Sequence, residues 1–403
     1  MPVSPHHLPS LVPKTDIAQR ISALQNFMQG RSIGCAWIQY PADRLYFTGT
    51  VQDGVLLIPA EGEAVFFARQ SFSRAEAEAG VQVQPFPGRK GLVKAASTML
   101  KERQRLALSF DVTPSSVYAM LQTLLPEAEL ADITLPVKTI KSVKSAWEVE
   151  QIRQATRQVE LLFAELPAMI RPGMREIDLS AEAESFLRRR GHAGTIRVRM
   201  SPDPMGILTV ASGDSALYPT AFDGPVGGPG LYPVTGLGAG IKELTAGETV
   251  TLDVVTAYNG YHADHTRVFF LGDPVPDAVR HAHQFCLDVL DRLQTEIRPG
   301  AIAMDIFNTV WSWAEAQGLP PGFMGAGENR VKFFAHGIGT ELDEFPVLAD
   351  RLDMPLQSGN VMAIEPKAFL PGVGGVGTES TFLVTENGCE NLCATTAELI
   401  CIK

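Results

Sequence analysis

The sequence predicts an α/β (α+β) chain of two domains, the second built from two related halves. Three observations carry that expectation. Over the first 140 residues, strand-like apolar runs alternate with amphipathic stretches of helical period. Near residue 140, Pro136 and the basic segment KTIKSVKS (138–145) read as a linker, so the domains fall at 1–140 and 141–403. Beyond it, IRPGMREIDLSAEAESFLRRRG (170–191) aligns without gaps to IRPGAIAMDIFNTVWSWAEAQG (297–318), 127 residues later. A period that long implies duplicated halves, because a solenoid needs shorter units in more copies.

Residues 1–13, rich in proline and histidine, predict a loose arm. Thr15 or Asp16 caps a helix whose Ile17, Ile21, Leu24 and Met28 form one face, ended by Gly30. GCAWIQY, GVLLIPA and EAVFFA follow as strands, then a helical stretch near 72–79, a strand at RLALSF and a helix at SSVYAMLQTLL. An opening domain of this size can hold its own core. Ser145, with Glu148 three residues on, predicts a capping box at the head of a long helix reaching about residue 166. Each IRPG unit predicts a turn, a helix and a glycine just past the helix end, Gly191 and Gly318.

Bulk composition narrows the function. The 403 residues are 45% hydrophobic and carry a net charge of −11. That balance disfavours nucleic acid or an anionic membrane as partner, since phosphate binding needs clustered Lys and Arg. No apolar run reaches the ~18 residues of a membrane span. The opening MPVSPHHLPSLVPK has no charged start followed by an apolar stretch, so no secretory signal is expected and the expected location is cytoplasmic. Five scattered cysteines suit a reducing compartment, and the spacing of Cys389, Cys393 and Cys401 does not match a CxxC metal site.

Five residues carry the chemistry: Asp253 and Asp264 in VTLDVVTAYNGYHADHTRVFF, His336 in HGIGTELDEFP, Glu365 in VMAIEPK and Glu379 in GGVGTESTF. Four carboxylates and one imidazole suit two divalent ions of the Mn, Co, Fe or Zn kind. Asn259-Gly260 predicts a two-residue type I′ hairpin. Tyr258 then faces Tyr261, Val255 faces Asp264 and Asp253 faces Thr266. The period of two puts Asp253 and Asp264 on one face as diagonal neighbours, roughly 7–8 Å apart. Gly337 and Gly339 predict a tight backbone turn beside His336, and PGVGGVG (371–377) the turn that delivers Glu379.

These motifs resemble the creatinase/prolidase/methionine aminopeptidase family of "pita-bread" metallopeptidases, and its Xaa-Pro peptidase branch most closely. The resemblance extends to AWIQYPADRLYFTGT, similar to the start of the family's N-terminal domain, and to IKSVKSAWEVEQIRQA, similar to the first helix of its catalytic domain. It implies a dinuclear metallopeptidase in which Asp253 holds one metal, His336 and Glu365 hold the other, and Asp264 and Glu379 bridge both. It implies a metal-bridged hydroxide attacking a peptide carbonyl, with Glu365 accepting the proton. It also implies a homodimer acting on short peptides.

The departures from the family pattern are specific. Where its peptidases carry a second histidine seven residues past the metal-binding one, this chain has Asp343, followed by Glu344. No histidine lies between His192 and His262, so the imidazole expected before Asp253 is missing. His262, on the Asp264 face of the hairpin, is a candidate replacement. Asp343 is a candidate oxyanion donor if protonated, or a partner for a cationic substrate group. Tyr218, Tyr232, Arg267 and Glu344 are candidate substrate contacts. Besides an Xaa-Pro peptidase, two readings stand open: a C–N hydrolase or lyase acting on a small molecule, and a non-catalytic binding protein.

Overall fold

In the computed structural model the described residues are 11–199, 205–327 and 330–403. The chain divides into two compact units, Met1–Lys141 and Ser142–Lys403. The first unit is a mixed six-stranded sheet in the order β4-β3-β2-β1-β5-β6. Its central strands β1 (Ile33–Ile38) and β2 (Gly54–Pro59) are buried throughout, flanked by β3 (Val65–Ala68) and β5 (Arg105–Leu108). The edges are the short β4 (Gln82–Pro85), which carries a proline, and β6 (Glu129–Asp132).

Helix α1 (Lys14–Gln29) buries Ile17, Ile21, Leu24 and Met28, the face its spacing predicts. It starts one residue before the expected caps, with Pro13 at the N-cap position. The remaining helices here are α2 (Pro41–Thr48), α3 (Phe72–Glu78), α4 (Gly88–Leu100) and α5 (Ser115–Leu124). The expected linker is instead helical: α6 spans Thr134–Ser142. Pro136 falls in its first turn, where no helical N–H is lost. Lys141 is buried with its Nζ 3.6 Å from Asp43 Oδ1. The basic segment thus reads as surface only until its partner is seen. Most of the predicted arm, residues 1–10, lies outside the described residues.

The second unit opens on α7 (Ala146–Met169), with the Ser145–Glu148 capping box formed in both directions. Its first half continues with α8 (Glu176–Arg189) and the sheet of β7 (Leu208–Ser212), β8 (Thr249–Tyr258) and β9 (Tyr261–Leu271). The second half repeats the plan with α9 (Asp277–Glu296), α10 (Ala303–Gln317) and strands β10 (Phe333–Gly337), β11 (Glu344–Ala349), β12 (Val361–Ile364), β15 (Ser380–Thr385) and β16 (Gly388–Asn391). Between β12 and β15 stands a hairpin of β13 (Lys367–Leu370) and β14 (Gly374–Gly377), and β17 (Ile400–Ile402) closes the first sheet beside β9.

The duplication extends beyond the IRPG helices. Gly173 N donates to Leu244 O and Leu244 N to Met174 O; Gly300 N donates to Leu356 O and Leu356 N to Ala301 O, each at 2.8 Å. Those anchors align LTAGETVTLD (244–253) with LQSGNVMAIE (356–365), so Asp253 and Glu365 are equivalent residues of the two halves. The glycines at the shared turn, Gly247 and Gly359, both sit at φ near +90, at +90 and +93. Each half has its own apolar core. One forms around Leu162, Leu187, Leu252 and Phe269, the other around Leu293, Phe307, Phe334 and Phe382.

Candidate metal centre

The hairpin register is the one its turn dictates: Tyr258 pairs with Tyr261, Val255 with Asp264 and Asp253 with Thr266. Asn259 and Gly260 take positive φ, 50 and 85, as a type I′ turn requires. β10 brings His336 alongside Ala363 of β12, one residue pair from the strand end where Glu365 begins. Glu365 N then donates to Phe334 O, which holds its backbone against β10. Glu379 is tied to β9 by two main-chain bonds with Thr266, at 3.2 and 3.3 Å. The glycine-rich run contributes differently from its sequence reading. Gly374–Gly377 is a strand, and the turn is the shorter segment before it.

Around His336 Nε2 stand Glu379 Oε1 at 3.8 Å, Asp264 Oδ2 at 3.9 Å and Glu365 Oε1 at 4.0 Å. These separations are too long for hydrogen bonds. Ligands held about 2.1 Å from a shared ion, however, stand up to about 4.2 Å apart. Asp264, His336 and Glu379 offer ligand atoms all within 4.8 Å of one another. Asp264 Oδ1 and Glu379 Oε1 are buried without any hydrogen-bond partner. His336 Nδ1 lies 3.1 Å from the carbonyls of Gly337 and Leu342, which fixes the proton there and leaves Nε2 its lone pair. This donor set fits one divalent ion.

A residue absent from the sequence reading completes the cluster. Lys367 Nζ lies 2.6 Å from Glu365 Oε2, 2.6 Å from Glu379 Oε2 and 3.8 Å from Asp253 Oδ2. Its side chain is 2% exposed. Glu379 Oε2 also accepts from Thr266 Oγ1 at 2.9 Å. The oxygens aimed toward Asp253 are therefore committed to an ammonium, and the donor set does not fit a second ion there. Its strand lies close against β14: a Cβ on Gly377 would strike Pro366 O and the Lys367 Cα.

The electrostatics follow the packing. Burial, then Glu379 and Asp253, drive the Asp264 carboxyl well above its ordinary range. Burial and Glu379 push Glu365 up to about 8, against the pull of Lys367 and His336. Burial would raise Glu379 too, but Lys367 and His336 outweigh it and hold it at about 2. Burial opposes the charge on Lys367, yet Glu365, Glu379 and Asp253 together keep it protonated.

Other candidates resolve individually. Asp343 lines the cavity with its Oδ1 3.4 Å from His336 Nδ1, behind the imidazole rather than across from it. With Nδ1 hydrogen-bonded to the two carbonyls, this carboxylate acts on the imidazole through its charge and raises its basicity. Asp343→Asn is expected to weaken metal affinity by about tenfold, read by isothermal titration. His262 is corrected from catalytic candidate to structural residue. Its Nδ1 meets Gly339 O at 2.8 Å, its Nε2 accepts from Arg197 N at 3.1 Å, and burial lowers it to about 4. Glu344 turns away from the cavity into a buried pair with Lys144 at 3.0 Å. Arg267 is 1% exposed and spends its donors on protein groups, so it is no substrate contact. Tyr218 and Tyr232 are 57% and 66% exposed and do not line the cavity. Gly337 and Gly339 need no left-handed φ. A Cβ on them would collide with Phe345 O and the Glu344 carboxylate.

The cavity above the cluster has apolar walls of Ile207, Phe222, Pro225, Val226 and Leu342. Its charged lining is largely acidic: Asp223 and Asp343 join the carboxylates of the cluster, and among the described residues no Arg or Lys lines it. Asp223, which lies in the long segment before β8, was not anticipated from the sequence.

The family described as Metallopeptidase family M24 matches residues 150–386, and the Creatinase/Prolidase N-terminal domain matches residues 20–143. An Xaa-Pro dipeptidase of Pyrococcus furiosus is 23% identical over 95% of this chain and 99% of its own length. Among solved structures, an Xaa-Pro dipeptidase from Bacillus anthracis superposes with a TM-score of 0.79 at 26% identity, covering 96% of this chain and 99% of that one. An X-Pro aminopeptidase from Thermotoga maritima gives 0.76 at 24%, covering 94% and 100%.

Proposed function

Since the chain belongs to metallopeptidase family M24, we propose that it is a metal-dependent hydrolase of short peptides with a free amino terminus, of the Xaa-Pro kind. The observation that carries this reading is a carboxylate-and-imidazole cluster at the floor of a small cavity whose remaining charges are acidic. Asp264, His336, Glu365 and Glu379 would hold the divalent ion. Such an ion polarises a carbonyl and lowers the pKa of water toward neutrality. The Gly337 and Leu342 carbonyls keep the His336 ring oriented, and the Asp343 charge raises its basicity. In this reading Glu365 is the proton acceptor, and Asp223 and Asp343 meet the substrate's ammonium group. The apolar wall suits a proline or a small aliphatic side chain.

The acidic lining also discriminates among peptides. A dipeptide would bring its own carboxylate beside unpaired acidic groups, with no Arg or Lys of the lining to receive it. An uncompensated charge in such a place costs several kcal/mol. A tripeptide or a C-terminally amidated dipeptide moves or removes that charge. On a panel with Mn- or Co-loaded protein, kcat/KM is expected to be at least tenfold higher for Xaa-Pro-Xaa and Xaa-Pro-amide than for Xaa-Pro. A preference for the free dipeptide would sink the charge argument, and no turnover of any peptide would sink the peptidase reading.

One observation favours a second reading. His336 is the only imidazole lining the cavity among the described residues, and it faces the cluster. A C–N hydrolase or lyase acting on a small cationic molecule needs the same acidic pocket and fewer proton-handling groups. Turnover of amine-bearing amides in the absence of peptide turnover would select it.

A further inference from the structure

We propose that the Lys367 ammonium is a built-in replacement for one of two metal ions, so that this centre works with a single divalent ion. Lys367 opens β13, two residues past Glu365, and its side chain reaches back beneath the carboxylates. It contacts one oxygen each of Glu365 and Glu379 at hydrogen-bond length, and its third neighbour is Asp253. The opposite oxygens, Glu365 Oε1 and Glu379 Oε1, face His336. Each glutamate therefore divides its two oxygens between a fixed cation and the open position at His336.

Charge and geometry both support the substitution. An ammonium offers three donors and no acceptor, and here it has two charge-assisted bonds and one carboxylate just beyond them. A second divalent ion beside Asp253 would have to displace it, or stand beside a buried cation while competing for Glu379 Oε2. That oxygen is already shared with Thr266 Oγ1. The lysine does not line the cavity. Its role is to neutralise and position the carboxylates from below, while the ion at His336 faces substrate. Asp253, freed from holding a metal of its own, keeps 22% of its side chain exposed and lines the cavity, where it can meet a cationic substrate group.

This inference rests on the metal reading of the cluster and not on which amide is cleaved, so the two fail separately. Metal-free protein is titrated with Mn(II), and bound metal is counted by elemental analysis after gel filtration. The electron paramagnetic resonance spectrum is recorded on the same sample. One ion per chain with the six-line spectrum of an isolated Mn(II) is expected. Two ions per chain with an exchange-coupled spectrum would overturn the proposal, as would no binding. The variants Lys367→Gly and Lys367→Met remove the ammonium with and without leaving room. Lys367→Gly is expected to take up two ions and give the coupled spectrum, and a single ion in a folded Lys367→Gly protein would overturn the assignment. Wild-type stoichiometry decides the matter even if neither variant folds. Absence of peptide turnover in a one-ion protein would reject the peptidase reading and leave the lysine assignment intact.

Discussion

Asp264→Asn and Glu379→Gln are both expected to abolish metal binding and lower turnover by at least 10³, yet to move the metal-free protein in opposite directions. On the proposed assignment these carboxylates supply charge to an ion that polarises the substrate, and the rate loss follows from that. The stability effects differ because the two carboxylates sit in different fields. Asp264 is buried among Glu379 and Asp253, and its raised pKa records a penalty on its charged form in the fold. A raised carboxyl pKa means folding gains below the unfolded value and loses as pH climbs through the folded one. Near neutral pH, where this carboxyl is ionised in the unfolded chain, Asp264 is therefore a cost to the metal-free fold, and an uncharged isostere relieves it.

Glu379 is the reverse case. Its pKa is held at about 2, so its charge stabilises the fold above the unfolded carboxylate range and that gain is lost only in acid. Its Oε2 receives Lys367 and Thr266, and removing the charge leaves a buried ammonium with one close partner. Thermal melts of chelated protein near pH 7 are expected to show Asp264→Asn at or above wild type and Glu379→Gln well below it. Saturating metal should raise the wild-type melting temperature, by about 4 kcal/mol of stability at a thousand times Kd, and leave both variants unmoved. A rise in either variant would remove that residue from the ligand set.

The hairpin was legible in the sequence because its geometry is local. A two-residue Asn-Gly turn sets every pair from Tyr258–Tyr261 to Asp253–Thr266, so the relative placement of two carboxylates follows from the turn alone. The IRPG repeat was legible for a similar reason, since the same turn and glycine recur in both halves. The second repeat, from Leu244 to Asp253 and from Leu356 to Glu365, was present as the pattern Leu-x-x-Gly followed by an acid six residues on. It was missed because the longer segment before it in the first half breaks the constant offset. Lys367 was hidden differently. It stands in VMAIEPK, in plain sight, but a lysine after a strand reads as surface. Only the packed structure shows it buried between Glu365 and Glu379. The same blindness made α6 look like a linker and His262 look catalytic. In each case the deciding partner, Asp43 for Lys141 and Gly339 for His262, lies far away in sequence.

Arg267 illustrates the distinction most sharply, and its replacement is expected to have the largest effect on stability of any single change outside the ligands. The side chain is 1% exposed. Its Nη1 donates to the carbonyls of Thr266 and Glu379 at 2.8 and 2.7 Å, its Nε to Thr396 O at 2.7 Å, and its Nη2 to Ser380 Oγ and to Thr395. One planar fork thus fastens β9, the Glu379 backbone and the segment before β17. Arg267→Ala leaves several buried carbonyls without a donor and opens a cavity against Phe163, which together cost about 4 kcal/mol or more. In a unit of this size that is a fall of roughly 10 °C in melting temperature. Arg267→Lys keeps the charge but cannot reproduce the fork, so most of the loss should remain. Because the fork grips the Glu379 carbonyl, metal affinity should fall in both variants as well. A substrate-binding arginine would give the opposite signature, an unchanged melting temperature and metal affinity with a raised KM. Calorimetry and metal titration on the two variants distinguish these outcomes without knowledge of the substrate.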